Sequence, residues 1–258
     1  MSRQIMTLPI RPRERPPAGQ CDVWLTDLSD LTLGEVAMLG GRAQQARGRR
    51  LRQRFLLRLL LGSYLKRPGR DVRIARGPQG KPAIAPESGE APLHFSVSHS
   101  GDWMVVAVAS SHELGVDIER ERTLRRPEAL ARRFFSAAEA DALARLNEPG
   151  RSHRLLWLWS RREALVKAMG SSLARSLSQI ALDPEKGEVL RLPQDWPRPA
   201  NWQLNDLALP NGLIGAVASC QGPCQPRLLE LDCRAGAAGG VALFGPVWSE
   251  SWLALPCC

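Results

Sequence analysis

The chain has 258 residues, an apolar fraction of 44% and a formal charge of +9. This length allows one large domain or two of about a hundred residues each, and the apolar share is that of a globular protein. No run of about 18 apolar residues is present, which excludes a membrane-spanning helix. The sequence also lacks the phosphate-binding GxxxxGK[ST] loop, the dinucleotide-binding GxGxxG loop and the GxSxG motif of hydrolases.

The distribution of charge indicates which kinds of partner the protein binds, and the cysteine spacing indicates its cellular compartment. Between residues 42 and 76 there are twelve Lys or Arg residues and one acid, Asp71. Such a run fits an anionic partner, either nucleic acid, an acidic protein surface or a phosphorylated ligand, and solubility alone is the alternative. No CxxC pair with a matching partner pair or histidine spacing is present, so we expect reduced thiols in a cytoplasmic protein. A zinc site built from Cys220, Cys224 and Cys233 is the minor alternative.

In the first half, hydrophobic periodicity predicts one long helix over residues 33–66. Leu51, Phe55 and Leu59 recur every four residues and should face the core, while the arginines at 47, 50, 54 and 58 form a neighbouring stripe. Short strands are predicted over residues 21–28, 71–75, 94–99 and 103–109, with a turn at 77–82.

In the second half, the patterns predict a strand over 115–119, helices over 125–135, 137–146 and 155–169, and strands over 179–182, 202–209 and 213–219. Each half therefore runs strand, helix, then antiparallel strands. We expect an α/β (α+β) fold of two similar subdomains, each with helices packed on a small, mainly antiparallel sheet and related by a pseudo-two-fold axis. The expected boundaries are a disordered leader at 1–20, subdomains at 21–110 and 111–220, and a poorly ordered tail at 221–258.

Acidic residues on one strand and one helix indicate a cation site. Asp117 and Glu119 share a strand face because side chains alternate along a strand. Glu163 and Lys167 lie one helical turn apart. A solvated strand face and an ordinary helix salt bridge are the plain alternatives. If the three carboxylates converge beside the lysine, they form a hard-cation site suited to phosphate chemistry.

Three further residues carry weaker signals. His99, in the segment Ser98-His99-Ser100, follows a strand and is better interpreted as an anion contact than as part of a catalytic triad, although a surface turn histidine is equally consistent. Lys81 projects from a Gly-Lys-Pro turn, which is more often an ordinary surface turn. Glu139 lies three residues after Ser136, the spacing of a helix capping box, and that structural role accounts for it fully.

Together these motifs resemble the 4′-phosphopantetheinyl transferase superfamily, in its Sfp-type, pseudo-dimeric branch. The resemblance covers about residues 23–219, with the order of the motifs intact. The matching segments are Arg54-Phe55-Leu56-Leu57-Arg58, Gly80-Lys81-Pro82, residues 95–100, residues 115–119, residues 134–139 and residues 159–167. One departure is Arg162, where the family usually has lysine, and the two cations differ in geometry.

The resemblance implies a Mg²⁺-dependent enzyme that moves the phosphopantetheine arm of coenzyme A onto a serine of an acidic apo acyl or peptidyl carrier protein. It implies metal ligation by Asp117, Glu119 and Glu163. The 3′-phosphate would contact His99, Ser98 beside it, and an arginine of the basic helix, Arg54 or Arg58. Lys81 would lie along the adenine and Lys167 on the diphosphate. Glu139 is the family-based candidate for the base, and a metal-held water is the competitor.

The resemblance further implies a monomer with an internal pseudo-dimer, without a nucleic-acid or membrane partner. Two alternatives stay open at this point. The arginine-rich helix alone would suit a basic nucleic-acid-binding protein, which would leave the three acids without a purpose. A non-catalytic coenzyme A binder of the same fold would use the same pocket without turnover.

Overall fold

The computed structural model describes residues 4–8, 10–31, 42–77, 79–85, 91–171, 176–210, 212–220 and 222–233. In these ranges the helices are α1 (Arg42–Leu65), α2 (Pro127–Phe134), α3 (Ala137–Ala144) and α4 (Gly150–Met169). The strands are β1 (Gln4–Thr7), β2 (Gln20–Asp27), β3 (Ile74–Arg76), β4 (Pro82–Ile84), β5 (His94–Ser100), β6 (Trp103–Ala109), β7 (Leu114–Arg120), β8 (Ala181–Leu182), β9 (Val189–Arg191), β10 (Gln203–Asp206), β11 (Leu213–Ser219) and β12 (Gln225–Asp232). Helices packed on small sheets confirm the predicted fold class. None of the described helices combines the length and apolarity needed to cross a membrane.

The first sheet has the strand order β1-β12-β2-β6-β5. Its β2, β6 and β5 strands are antiparallel as predicted, whereas β12 lies between β1 and β2 and runs parallel to both. The predictions of a disordered leader and a poorly ordered tail are therefore wrong for residues 4–7 and 225–232. Residues 234–258 lie outside the described ranges. The two strands that pair with β12, β1 and β2, are distant from it in sequence, so local patterning did not reveal it.

An ion pair between the buried Asp22 and the half-exposed Arg227 joins β12 to β2, and Tyr64 connects it to α1. The Asp22 carboxylate, 1% exposed, accepts two hydrogen bonds from the Arg227 guanidinium at 2.8 and 3.0 Å. It also accepts one from the Tyr64 hydroxyl of α1, which in turn accepts from the Trp24 indole at 2.7 Å. Burial of a carboxylate is tolerable only when its oxygens are satisfied in this way. The segment predicted to be a loose tail is thus part of the first core.

Helix α1 covers one face of this sheet. Its fully buried residues are Leu56, Leu60, Leu61 and Tyr64, which pack with the sheet side chains Trp24, Phe95 and Met104. The predicted core positions Phe55 and Leu59 pack against this cluster, but they and Leu51 are only partly buried, and the fully buried Leu56 and Leu60 each lie one residue further along. The run Phe55–Leu61 is almost continuously apolar, and periodicity cannot choose a face inside such a run.

The second sheet has the antiparallel order β10-β11-β7 and is covered by α4. Strand β7 also packs against β5, so the two sheets meet along these two strands. Between the sheets lies a dry cluster that includes Val23, Val105, Val116 and Val217. The second half of the molecule has its own core, formed by α2, α3 and α4 with Leu143, Leu158 and Leu165 among its buried residues. Both halves are thereby held together across the β5–β7 seam.

Candidate active site

Serine side chains of β5 cross the seam to β7. The Ser96 hydroxyl accepts a hydrogen bond from the Val116 amide at 3.1 Å, and the Ser98 hydroxyl donates to Asp117 Oδ1 at 2.7 Å. Ser100 Oγ lies 3.3 Å from Glu119 Oε2. Ser96, Ser98 and Ser100 are alternate residues and share one face of β5. Their hydroxyls make the contacts between β5 and β7 that backbone hydrogen bonds make between paired strands. The seam therefore carries Asp117 and Glu119 at its open edge.

Lys167 of α4 completes a buried cluster with these residues. Its ammonium lies 2.7 Å from Asp117 Oδ1, 2.8 Å from Ser98 Oγ and 3.7 Å from Glu163 Oε2. The Asp117 carboxylate is buried, and its Oδ2 has no hydrogen-bond partner. Burial, together with the Glu163 charge, raises the pKa of Asp117 to about 7, although Lys167 and Ser98 act in the opposite direction. The cluster joins two carboxylates, one ammonium and the Ser98 hydroxyl, so it can contact both anions and cations.

The backbones of α4 and β7 pack closely together at Gly115. A Cβ added at Gly115 would lie 2.0 Å from the Ala164 carbonyl oxygen and 2.3 Å from the Ala168 nitrogen. Only glycine fits there. The approach allows Lys167, in the same turn of α4, to reach Asp117, which is two residues further along β7.

Glu163 and Glu119 are each held by other side chains. The Trp159 indole donates to Glu163 Oε1 at 2.7 Å, and the Trp159 ring packs edge-on against Phe134 with centroids 5.5 Å apart. Glu119 Oε2 accepts from Arg122 at 3.0 Å. The predicted one-turn contact between Glu163 and Lys167 is confirmed, and Asp117 and Glu119 both line the seam as the strand pattern predicted.

The three acids nevertheless do not form a ligand set as they stand. Within the ranges that the structure covers, no three histidine, cysteine, aspartate or glutamate side chains lie together in a group that could hold a metal ion. Asp117 and Glu163 face Lys167, while Glu119 faces Arg122. The three carboxylates therefore do not converge on one point as predicted, and a lysine or arginine side chain contacts each of them. The zinc alternative at Cys220, Cys224 and Cys233 fails the same criterion.

Glu139 has a structural position. It is fully buried, completes the capping box of α3 with Ser136, and accepts a hydrogen bond from the Leu182 amide at 3.2 Å. It also forms an ion pair with the equally buried Arg162, whose guanidinium stacks 4.0 Å from the Phe135 ring centroid. A general base must reach the proton that it removes, and this carboxylate has no exposed surface. The geometry supports the capping interpretation over the catalytic one, and Arg162, the family departure, is its partner.

Cations gather on the other side of Lys167. His99 is exposed at the end of β5, and the pKa of its imidazole is lowered by burial of the ring, by Lys167 and by Arg49. Arg49 Nε donates to Asp102 Oδ1 at 2.9 Å, in the turn between β5 and β6. The charges of Lys167 and Arg49 therefore both act on this partly exposed imidazole, and such a setting favours an anion. Sequence reasoning missed Arg49 because it lies off the arginine stripe, and only its place in a basic helix could have pointed to it.

The arginines that were predicted as phosphate contacts have different positions. Arg54 is exposed on α1. The Arg58 guanidinium donates to the Val72 carbonyl, and its pKa is lowered by burial and by the neighbouring Arg54. Arg58 is therefore engaged in holding the chain that follows α1. Arg49, not Arg54 or Arg58, is the α1 residue whose charge reaches His99.

Lys81 lines a cleft but points its ammonium into the protein. The cleft has a volume of about 230 Å³ and is lined by residues 79–82, 95–97, Lys167, Gly170 and Ser171. The Lys81 ammonium donates to Glu113, to the Leu114 carbonyl at 3.1 Å and to the Ala168 carbonyl at 3.2 Å. A lysine has three N–H donors, and all three are used here. The predicted ligand contact by Lys81 is thus not available through its charge in this structure.

Comparison with known proteins agrees with this arrangement. A family model described as the 4′-phosphopantetheinyl transferase superfamily matches residues 113–218, and one described as the N-terminal part of 4′-phosphopantetheinyl transferase matches residues 42–111. The chain is 30% identical to the 4′-phosphopantetheinyl transferase HetI of Nostoc sp. over 220 residues, which is 83% of this chain and 89% of HetI. The chain therefore belongs to the 4′-phosphopantetheinyl transferase superfamily, as its motifs indicated.

Two other relatives cover the central motifs. The 4′-phosphopantetheinyl transferase AcpT of Escherichia coli is 37% identical over 153 residues, covering 55% of this chain and 73% of AcpT. The 4′-phosphopantetheinyl transferase Sfp of Bacillus subtilis is 30% identical over 127 residues, covering 49% of this chain and 54% of Sfp. The superfamily model covers the site residues Asp117, Glu119, Glu163 and Lys167, and the N-terminal model covers Ser98.

Proposed function

We propose that this protein transfers the 4′-phosphopantetheine group of coenzyme A to a serine of an apo acyl or peptidyl carrier protein. The observation that carries the proposal is the Asp117–Ser98–Lys167 cluster, with Glu163 beside it, at the seam between the two sheets. The transfer breaks the bond between the β-phosphorus and the bridging oxygen, and it releases adenosine 3′,5′-bisphosphate. Among the branches of the family, the chain resembles the Sfp type. We also propose that the enzyme is monomeric and cytoplasmic.

Recognition of coenzyme A would use the cations beside the cleft. Arg49 and Lys167 both lie within electrostatic reach of His99, and Arg49 and His99 would take the 3′-phosphate. Lys167, with 24% of its side chain exposed, would contact the diphosphate and neutralise charge that develops during transfer. The cleft between the Gly80-Lys81-Pro82 turn and Phe95 would hold the adenine.

The carrier serine must lose its proton as its oxygen attacks phosphorus, so a carboxylate base is needed. With Glu139 buried in its capping role, our candidate is Glu163 acting through a water that it holds, because 18% of its side chain is exposed, against 4% for Asp117. The Trp159 indole holds Glu163 in place by donating to the other oxygen, Oε1. The base would therefore act from the same cluster that neutralises the diphosphate.

We further propose that Asp117, Glu119 and Glu163 would hold Mg²⁺, although the three carboxylates do not converge on one point in this structure. The support is chemical: Asp117 Oδ2 is buried without a donor, and burial of two neighbouring carboxylates raises the pKa of Asp117. Oxygen ligands of this kind are those that Mg²⁺ prefers, and the bound ion would neutralise charge on the diphosphate. Lys167 occupies Oδ1 and leaves Oδ2 for the ion. A thermal shift with added Mg²⁺ in the wild type, absent in Asp117→Asn, tests the assignment without measuring activity.

An acidic carrier would dock on the exposed basic face of α2. This face presents Arg125, Arg126, Arg132 and Arg133, with the partly exposed Leu130 among them. It begins close to Glu119, since Arg122 pairs with that acid. Charge complementarity raises the association rate more than the intrinsic affinity. Reversal of Arg132 and Arg133 to Glu should raise KM for the carrier and leave KM for coenzyme A unchanged.

The test of the function is mass spectrometry of apo carrier proteins incubated with the enzyme, coenzyme A and Mg²⁺. The expected result is the gain of one phosphopantetheine arm on the carrier serine, absent when that serine is replaced by Ala. Loss of transfer in a folded Asp117→Ala variant is the matched control. Coenzyme A binding without modification of any fatty acid, polyketide or nonribosomal peptide carrier would instead identify a non-catalytic binder. A salt-dependent shift of mixed DNA that Asp117→Ala leaves unchanged would favour the nucleic-acid alternative.

A further inference from the structure

The Lys81 ammonium joins three separate segments of the chain. It comes from the turn before β4 and donates to the Glu113 carboxylate and the Leu114 carbonyl, where β7 begins. Its third bond goes to the Ala168 carbonyl, in the last turn of α4. Only 17% of the Lys81 side chain is exposed. The contact therefore connects a hairpin, a strand and a helix from within the protein.

At the end of α4 this bond completes the hydrogen bonding of the last turn. A helix leaves its final four carbonyls without intrahelical donors. The Gly170 amide donates to the Lys167 carbonyl at 3.1 Å, and the Ser171 amide donates to the Val166 carbonyl at 3.0 Å. The Ala168 carbonyl receives the Lys81 ammonium instead. A cation at a helix C-terminus is also favoured by the helix dipole.

Glu113 extends the connection to β5. Its second carboxylate oxygen lies 3.0 Å from His94 Nδ1, at the start of that strand. The hydrogen bond from His94, and then that from Lys81, lower the pKa of Glu113 to about 2, so the carboxylate is charged at neutral pH. The Lys81–Glu113 pair thus touches β5, β7 and α4, which carry Ser98, Asp117 and Lys167 respectively. All three active-site groups come from elements that this pair ties together.

We propose that Lys81 and Glu113 are positioning residues that hold α4 in register with β7, so that Lys167 meets Asp117 and Ser98. The inference rests on the proposed function for its catalytic consequence. It differs from the role implied by the family resemblance, in which Lys81 lies along the adenine of coenzyme A. Loss of the ammonium would free the end of α4 next to the Gly115 contact and shift Lys167 relative to its partners.

The test compares Lys81→Met, which keeps the aliphatic stem, with the control Lys186→Met, a lysine exposed in the turn before β9. Displacement of catalytic groups by about 1 Å costs up to about a hundredfold in rate. We expect Lys81→Met to lower kcat about tenfold, with a change of less than about twofold in KM for coenzyme A. Glu113→Gln should show the same pattern, and the double variant should be little worse than either single variant. Lys81→Arg should retain most of the rate.

A second measurement does not depend on turnover. Amide hydrogen exchange at Gly170 and Ser171 should be faster in Lys81→Met than in wild type and unchanged in Lys186→Met. If the wild type showed no transfer, only the proposed function would be refuted, because the hydrogen-exchange measurement would still test whether Lys81 positions the end of α4. A raised KM for coenzyme A at unchanged kcat, or unchanged exchange, would overturn the inference in favour of a ligand contact. If Lys81→Met does not fold, Glu113→Gln carries both measurements.

Discussion

Replacing Asp117 by Asn should stabilise the protein at alkaline pH while it abolishes transfer. The Asp117 carboxylate is buried, its Oδ2 lacks a donor, and its pKa is raised to about 7, first by burial and then by the Glu163 charge. In the unfolded chain the same group ionises near its ordinary value of 3.8. The folded state therefore favours the protonated form, and folding becomes less favourable as the pH rises from about 4 to about 7. Asn carries no charge, yet it still accepts from Lys167 and Ser98.

The size of the effect follows from the same two values. A pKa raised from 3.8 to about 7 corresponds to about 4 kcal/mol of differential interaction between the protonated and ionised forms. Lys167 loses its charged partner in the variant, so the net gain is smaller. We expect Asp117→Asn to raise the free energy of unfolding at pH 8 by about 1–4 kcal/mol. At pH 4, where folded Asp117 is protonated, the gain should disappear.

Urea unfolding at pH 4, 6 and 8 in buffer that contains EDTA provides the measurement, with Asp141→Asn as an exposed control. The unfolding free energy of the wild type should fall between pH 4 and 7 more steeply than that of Asp117→Asn. A variant that is less stable than wild type at pH 8 would refute the reasoning, because it would show that ionised Asp117 stabilises the fold. Mass spectrometry of the carrier protein in the same preparations reports the loss of transfer.

The remaining predictions concern structural contacts. Glu139→Gln leaves the buried Arg162 without a countercharge and should cost about 3 kcal/mol of stability in urea unfolding; an unchanged unfolding midpoint with slower transfer would restore Glu139 as a base. Gly115→Ala should push α4 from β7 and reduce transfer about a hundredfold, whereas Gly150→Ala, whose Cβ meets open space, should not. Asp22→Asn removes the charge that Arg227 and Tyr64 contact and should cost about 1–2 kcal/mol in thermal unfolding, because the half-exposed Arg227 stays solvated; unaltered stability would show that the β12 ion pair is dispensable.

Local patterns were sufficient for much of the fold. The structure reproduces the predicted bounds of β6 and β11, because apolar runs of seven residues flanked by turns define strands without further context. The period of two placed Asp117 and Glu119 on the seam, and the period of 3.6 placed Glu163 beside Lys167. These predictions depend only on residues within one helix or strand, and a sequence pattern carries information over that range.

Tertiary structure alone decided which charges are free to act. Glu139 and Lys81 resemble functional residues in sequence, but Arg162 pairs with the first and three acceptors from two other elements surround the second. Arg49 reaches His99 only because the turn at Asp102 folds back on α1. Burial and pairing are properties of residues that are distant in the chain, and they set the energy of a charge. The sequence by itself determined the elements and the acids of the site, whereas the packing of those elements determined what each charge can do.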